Sequence, residues 1–104
     1  MNISYTQKLH DYLKRRGYAV VEISMAEPGT DTSGFAEVTA IPLTAKVAEK
    51  VRDQALRVIP IEGDGEVFIM SRGIEYDDEI VLDLKSFLGI KHIDVQGMRA
   101  FSLR

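Results

Sequence analysis

Short runs of alternating, β-branched residues, each closed by a turn rich in glycine or other turn formers, set the narrowest limits on what this chain can fold into. YAVVEISM at 18–25 places Ala19, Val21, Ile23 and Met25 on one face of a strand and Glu22 and Ser24 on the other. After AEPGTDTSG, a segment dense in turn formers, FAEVTAI at 35–41 resumes the strand pattern up to Pro42. Ile59 and Ile61 flank Pro60, Gly63-Asp64-Gly65 turns the chain, and VFIM at 67–70 reads as a buried strand, so a hairpin with its edge strand first is expected. Ser71-Arg72-Gly73 turns the chain again. EIVLDL at 79–84 then presents Ile80, Leu82 and Leu84 to one side, and HIDVQG at 92–97 does the same with Ile93 and Val95.

Two segments change period from two to 3.6. Ser4-Tyr5-Thr6-Gln7 has the form of a capping box, and Tyr5, Leu9, Tyr12 and Leu13 follow on one helical face that Gly17 can end in the left-handed conformation. TAKVAEKVRDQALRVI at 44–59 sets Val47, Val51, Ala55 and Val58 on a second stripe with Thr44 as cap, which predicts a helix over 45–56. The expected architecture is α+β and mostly β: one domain, 1–104, of many short strands with a helix in front. At 104 residues such a domain buries about 65% of the surface of its unfolded chain, enough for a core without staples.

Charge and cysteine usage narrow the chemistry. Thirteen Lys and Arg against sixteen Asp and Glu give a net charge of −3, which offers no footprint for nucleic acid or an anionic membrane. Lys14-Arg15-Arg16 closes the first helix, where cations offset the negative end of its dipole. No apolar stretch approaches the roughly 18 residues of a membrane span and MNISYTQKLH lacks a signal-peptide pattern, so the cytoplasm is the expected compartment. The absence of cysteine removes disulfides, thiolate catalysis and cysteine-ligated zinc or iron–sulfur sites.

Candidate catalytic sets are thin. The acidic run Glu75-Tyr76-Asp77-Asp78-Glu79 lacks the spacing of a calcium loop and reads as a solvated turn between strands that discourages edge pairing, as do Glu62, Asp64 and Glu66 around the hairpin glycines. His10, on the exposed or boundary face of the first helix, and His92, at the start of a strand, stand far apart in sequence, each without a second ligand nearby. No nucleophile elbow, phosphate-binding glycine loop or zinc-protease motif is present. Catalytic, cofactor and metal residues are therefore expected to be none.

The order of elements, a capped helix ending in glycine, a strand, a loop closing on Thr32-Ser33-Gly34-Phe35-Ala36 and a further strand, resembles the HesB/IscA-like family of A-type iron–sulfur scaffold or carrier proteins. The likeness runs over residues 2–41 and, more loosely, about 65–98. In that family the loop reads Gly-Cys-Ser-Gly, a hydrophobe and Ala; here Thr32 stands where the cysteine would be, beside Asp31. The family's C-terminal Cys-Gly-Cys has no counterpart in Gly97-Met98-Arg99-Ala100-Phe101-Ser102-Leu103-Arg104, and the 44–59 helix departs from the family's middle segment. The resemblance implies a compact β-sandwich with a helix at one end, and oligomers. It implies no cluster here, because a threonine hydroxyl is neither soft nor anionic.

The leading expectation is thus a cysteine-free, non-catalytic binding module that uses a surface, with Asp31, Thr32, Ser33, Gly34 and Phe35 as candidate loop, for a protein partner or for self-association, without nucleic acid or membrane. The alternatives are a metal-dependent or acid–base enzyme drawing on Asp31, the 75–79 carboxylates and one histidine, and a purely structural domain.

Overall fold

The computed structural model describes residues 2–25 and 37–100. They form β1 (Asn2–Tyr5), α1 (Gln7–Arg16), β2 (Tyr18–Met25), β3 (Val38–Thr44), α2 (Ala45–Val51) with a single 3-10 turn (Arg52–Gln54), β4 (Arg57–Ile61), β5 (Gly65–Ile69), β6 (Ile74–Phe87) and β7 (Ile90–Ala100). The architecture is α+β and mostly strands, in two sheets: β1-β6-β7 and β3-β2-β5-β4.

The chain opens as a strand. Asn2 to Tyr5 run parallel to Glu79 to Leu82 of β6, and the Thr6 amide continues the ladder to the Leu82 carbonyl at 2.9 Å. Ser4 is therefore no helix cap, as its backbone lies in the sheet opposite Val81. Thr6 takes that role instead, in extended conformation, with its hydroxyl accepting from the Leu9 amide. Residues 4–7 have the form of a capping box through the Ser4 hydroxyl and Gln7 three residues on, but Thr6 also offers a hydroxyl, and pairing with a strand 77 residues away decides between the two. Tyr5 likewise belongs to β1, not to the helix stripe. Gly17 ends α1 in the left-handed region, φ 74°, donating to the Leu13 and Lys14 carbonyls, and Lys14, Arg15 and Arg16 fill the last turn.

Leu9 and Leu13 of α1 enter one core with Val21 and Ile23, Ile61, Val67 and Ile69, Ile80, Leu82 and Leu84, and Ile93 and Met98. Both sheets and α1 thus share a single apolar layer. The opposite face of the four-stranded sheet is covered by α2, where Ala48 meets Val20 and Phe68. β2 and β5 are consequently buried on both faces. A register shift between Tyr18 and Val20 turns Ala19 to the α2 side, so it does not join Val21 and Ile23 as the strict alternation predicts.

The remaining departures have local causes. β3 runs Val38–Thr44, three residues beyond the predicted end, with Pro42 inside it opposite Val21; β3 is an edge strand, where a missing N–H is harmless. α2 ends at Val51, short of 56, because Ala55 turns extended and the Leu56 amide donates to the Ile69 carbonyl at 2.8 Å to open β4. Ala48 is its buried residue, and Val51 and Ala55 pack beside it as the stripe predicts, whereas Val47 faces outward at 43% exposure and Val58 lies in β4. The hairpin β4–β5 with its edge strand first is present as expected. The acidic run is not a turn: 75–79 lies within β6, across a large register irregularity between Tyr76 and Val81. There Gly97 of β7 has φ 100°, and a Cβ on it would sit 2.5 Å from the Glu79 carbonyl oxygen. β7 runs Ile90–Ala100, so His92 lies inside the strand, with Ile93 and Val95 packed as the alternation requires.

Candidate functional site

Asp31, Thr32, Ser33, Gly34 and Phe35 lie outside the described residues. What is described is their frame: β2 and β3 pair antiparallel on either side, with Met25 opposite Val38.

Of the sequence-stated acids, the 75–79 run is engaged locally. Arg99, opposite Glu75 in the ladder, reaches Asp77 at 2.9 Å and Glu75 at 3.1 Å, and Asn2 donates to Glu79 at 3.3 Å. Among the described residues no three His, Cys, Asp or Glu side chains converge as metal ligands. Arg52 forks onto Glu66, at 2.6 and 3.3 Å, and lies over the Phe68 ring, 5.1 Å from its centroid. That pairing holds the Glu66 carboxyl below its ordinary range.

His10 has a partner that sequence spacing does not reveal. Its Nδ1 bonds the carboxylate of Asp64, carried to α1 by the Gly63-Asp64-Gly65 turn. The turn itself is closed by the Asp64 amide donating to the Ile61 carbonyl at 2.9 Å. The pair edges a shallow cleft of about 290 Å³ that also touches Leu13, Lys14 and Tyr18. Within reach of the Asp64 charge, the Tyr5 hydroxyl is buried with no partner among the described residues, and burial, then that charge, push its ionisation well above the ordinary tyrosine range. A carboxylate on Nδ1 fixes the imidazole tautomer, and Nε2 has no partner among the described residues, the arrangement of a general base. Among the described residues lining this cleft there is no Ser, Thr or Cys to act as nucleophile, and Tyr5, held protonated, is a poor one.

A second depression, a cleft of about 490 Å³, lies between α1 and the β6–β7 hairpin, lined by Lys8, Tyr12, Arg15, Leu84, Lys85, Ser86 and Lys91. Lys8, Tyr12 and Arg15 follow at i, i+4 and i+7, so they share one helix face beside the buried Leu9–Leu13 stripe. Ser86 and Lys91 are directly opposed in the ladder, and Lys85 precedes them. Lys85 is paired with Asp83 at 3.3 Å, while Lys8, Arg15 and Lys91 have no ion pair among the described residues. Asp83 is itself occupied, accepting from the Thr6 hydroxyl at 2.8 Å and from the Leu84 amide, which hold its carboxyl low. Four cations and two hydroxyls around one concave surface can hold an anion, the cations neutralising charge and the hydroxyls donating.

The sequence does not reveal this cleft because Arg15 reads as part of the Lys14-Arg15-Arg16 block that offsets the helix dipole, and Lys8 stands alone ahead of it. The Lys8, Tyr12, Arg15 spacing was the available signal, together with the lysines that bracket Ser86-Phe87-Leu88-Gly89-Ile90. No helix among the described residues is long and apolar enough to cross a membrane. Comparison with family models, with curated proteins and with solved structures found no match to this chain.

Proposed function

We propose that this chain is a non-catalytic binding module that takes an anionic group in the cleft between α1 and the β6–β7 hairpin. The observation that carries this is the gathering of Lys8, Arg15, Lys85 and Lys91 around a single cleft in a chain of net charge −3. Like charges brought together on a surface repel, and a fold gains nothing from the arrangement unless an anion relieves it. The scaffold is that of a cysteine-free relative of the A-type carriers, a compact β-sandwich with α1 at one end. In its favour are the order strand, helix, strand, loop, strand at the start of the chain and the pairing of β2 with β3 across that loop. With no thiolate in the sequence, the module works through its surface rather than through a cluster.

The test is a titration of the protein with inorganic phosphate and with a soluble acidic peptide, followed by nuclear magnetic resonance. Shifts concentrated at Lys8, Tyr12, Arg15, Ser86 and Lys91, weakened by added salt and cut about tenfold by Lys91→Glu, are expected. Shifts scattered over all lysines, or none, overturn the reading.

The contact between His10 and Asp64 favours a second reading, an acid–base site in the smaller cleft. It predicts turnover abolished by His10→Gln with anion binding at the larger cleft unchanged.

A further inference from the structure

Directly above the cationic cleft, the β6–β7 hairpin ends in an apolar cap. Phe87, Leu88 and Ile90 are 70%, 85% and 72% exposed, the three most exposed large apolar side chains among the described residues. Phe87 and Ile90 are opposed in the ladder, so both point from the same face, with Leu88 at the apex. Below them Lys85 lies two residues from Phe87, about 7 Å along the strand, and Lys91 follows Ile90 directly.

The turn is made in an unfavourable way. Leu88 has φ 52° and Gly89 φ 81°, the two left-handed central positions of a two-residue type I′ connection. Asn or Asp is the ordinary residue at the first, since a short polar side chain tolerates the left-handed region. A leucine there costs backbone strain and sets an apolar side chain in water at the same position. Folding explains neither, and strain kept at an exposed position marks a site of use.

We infer that the hairpin tip docks on an anionic membrane surface, Phe87, Leu88 and Ile90 entering the interface while the cleft beneath receives a lipid headgroup. This rests on the reading of the cleft as an anion site. Charge complementarity chooses this occupant: an apolar apex with a collar of lysine and arginine matches, layer for layer, a bilayer whose apolar interior lies under a negative surface. With the tip inserted, Lys85 and Lys91, set back from the apex along the strands, lie at headgroup level, where their long stems can stay apolar and their ammonium groups wet. The tip is convex and narrow, the shape that enters a deformable interface rather than covers a flat protein face. Three apolar side chains and a handful of cations give reversible, salt-sensitive attachment, not a permanent anchor.

The chain has no tryptophan, so Phe87→Trp supplies a single reporter. The full-length variant is mixed with vesicles of phosphatidylcholine containing about a third phosphatidylserine, and with vesicles of phosphatidylcholine alone. Sedimentation with the first and not the second, a blue shift of indole emission on binding, and release as salt rises are expected. Leu88→Asn, which restores the preferred turn residue, is expected to weaken vesicle binding about tenfold without lowering the melting temperature. The soluble-anion titration separates the two claims. Phosphate binding at the cleft with no sedimentation on anionic vesicles overturns the membrane inference and leaves the cleft reading standing; loss of both overturns both. Sedimentation without an emission shift, or a dimer that dissociates on Leu88→Asn in the absence of vesicle binding, overturns it as well.

Discussion

Tyr5 holds its hydroxyl in an interior where no described residue meets it, although it is the neighbour of a charged carboxylate. An ordinary tyrosine ionises near pH 10, and burial first, then Asp64, raise Tyr5 above that value. The unfolded chain therefore releases this proton before the folded one does. Stability is complete below about pH 10 and falls as pH climbs past it, because the unfolded state alone gains the ionised form. Tyr5→Phe removes an unsatisfied donor and is expected to leave the protein at least as stable, by up to about 1 kcal/mol, and to make the alkaline limb of a melting-temperature profile shallower. A loss greater than that amount would mean the hydroxyl is bonded after all. At Gly97 the demand is steric: φ 100° and a carbonyl oxygen 2.5 Å from any added Cβ. Gly97→Ala is expected to cost at least about 2 kcal/mol in urea unfolding, with the β6–β7 resonances the ones displaced. Gly17, with nothing within 4 Å of the same position, should tolerate alanine with strain alone.

Elements reveal which parts of the fold were legible. The strand at 18–25, the hairpin closed by Gly63 and Gly65, and the inward set Ile80, Leu82 and Leu84 follow from alternation and turn chemistry, because each is decided by residues close in sequence. β1 was not legible, since Asn2–Tyr5 is a strand only by virtue of β6. The same holds for the early end of α2, imposed by β4, and for the acids of β6, which read as a turn until Arg99 is seen opposite them. The site was less legible than the fold: the pairing of His10 with Asp64 and the approach of Lys91 to α1 are products of tertiary structure that no spacing records. The junction of β1 and α1 gives its own prediction. Thr6 caps the helix and bonds Asp83, whose carboxyl is held low by that hydroxyl before any other group. A depressed carboxyl adds stability above its unfolded pKa that disappears as pH falls through the folded one. Thr6→Ala should thus cost about 1 kcal/mol at neutral pH from the lost cap alone, and the difference from the parent protein should narrow in acid.

At the scale of the whole molecule, net charge proves a poor guide to surface. The −3 total conceals acids gathered along β6 beside Arg99 and cations gathered where α1 meets the far end of the same hairpin. A single core joins both sheets, so the two ends of this charge separation are held rigid with respect to each other through Ile80, Leu82 and Leu84.

The parallel contact of β1 with β6 also sets a time order. Asn2 meets Glu79 across 77 residues, a closure that is entropically unfavourable until the rest of the chain has condensed. The β6–β7 hairpin, turned by two residues, closes locally and should lead. Ile3→Val is expected to speed unfolding while leaving the refolding rate nearly unchanged, and Ile93→Val to slow refolding, in stopped-flow chevrons. The last strand to dock is then the one that fixes Thr6 and the start of α1, so the cationic cleft, which needs α1 seated against the hairpin, is completed only in the final step of folding. Partly folded chains then carry the apolar tip with only the hairpin's half of the collar, Lys85 and Lys91, and Lys8 and Arg15 join it when the last strand orders.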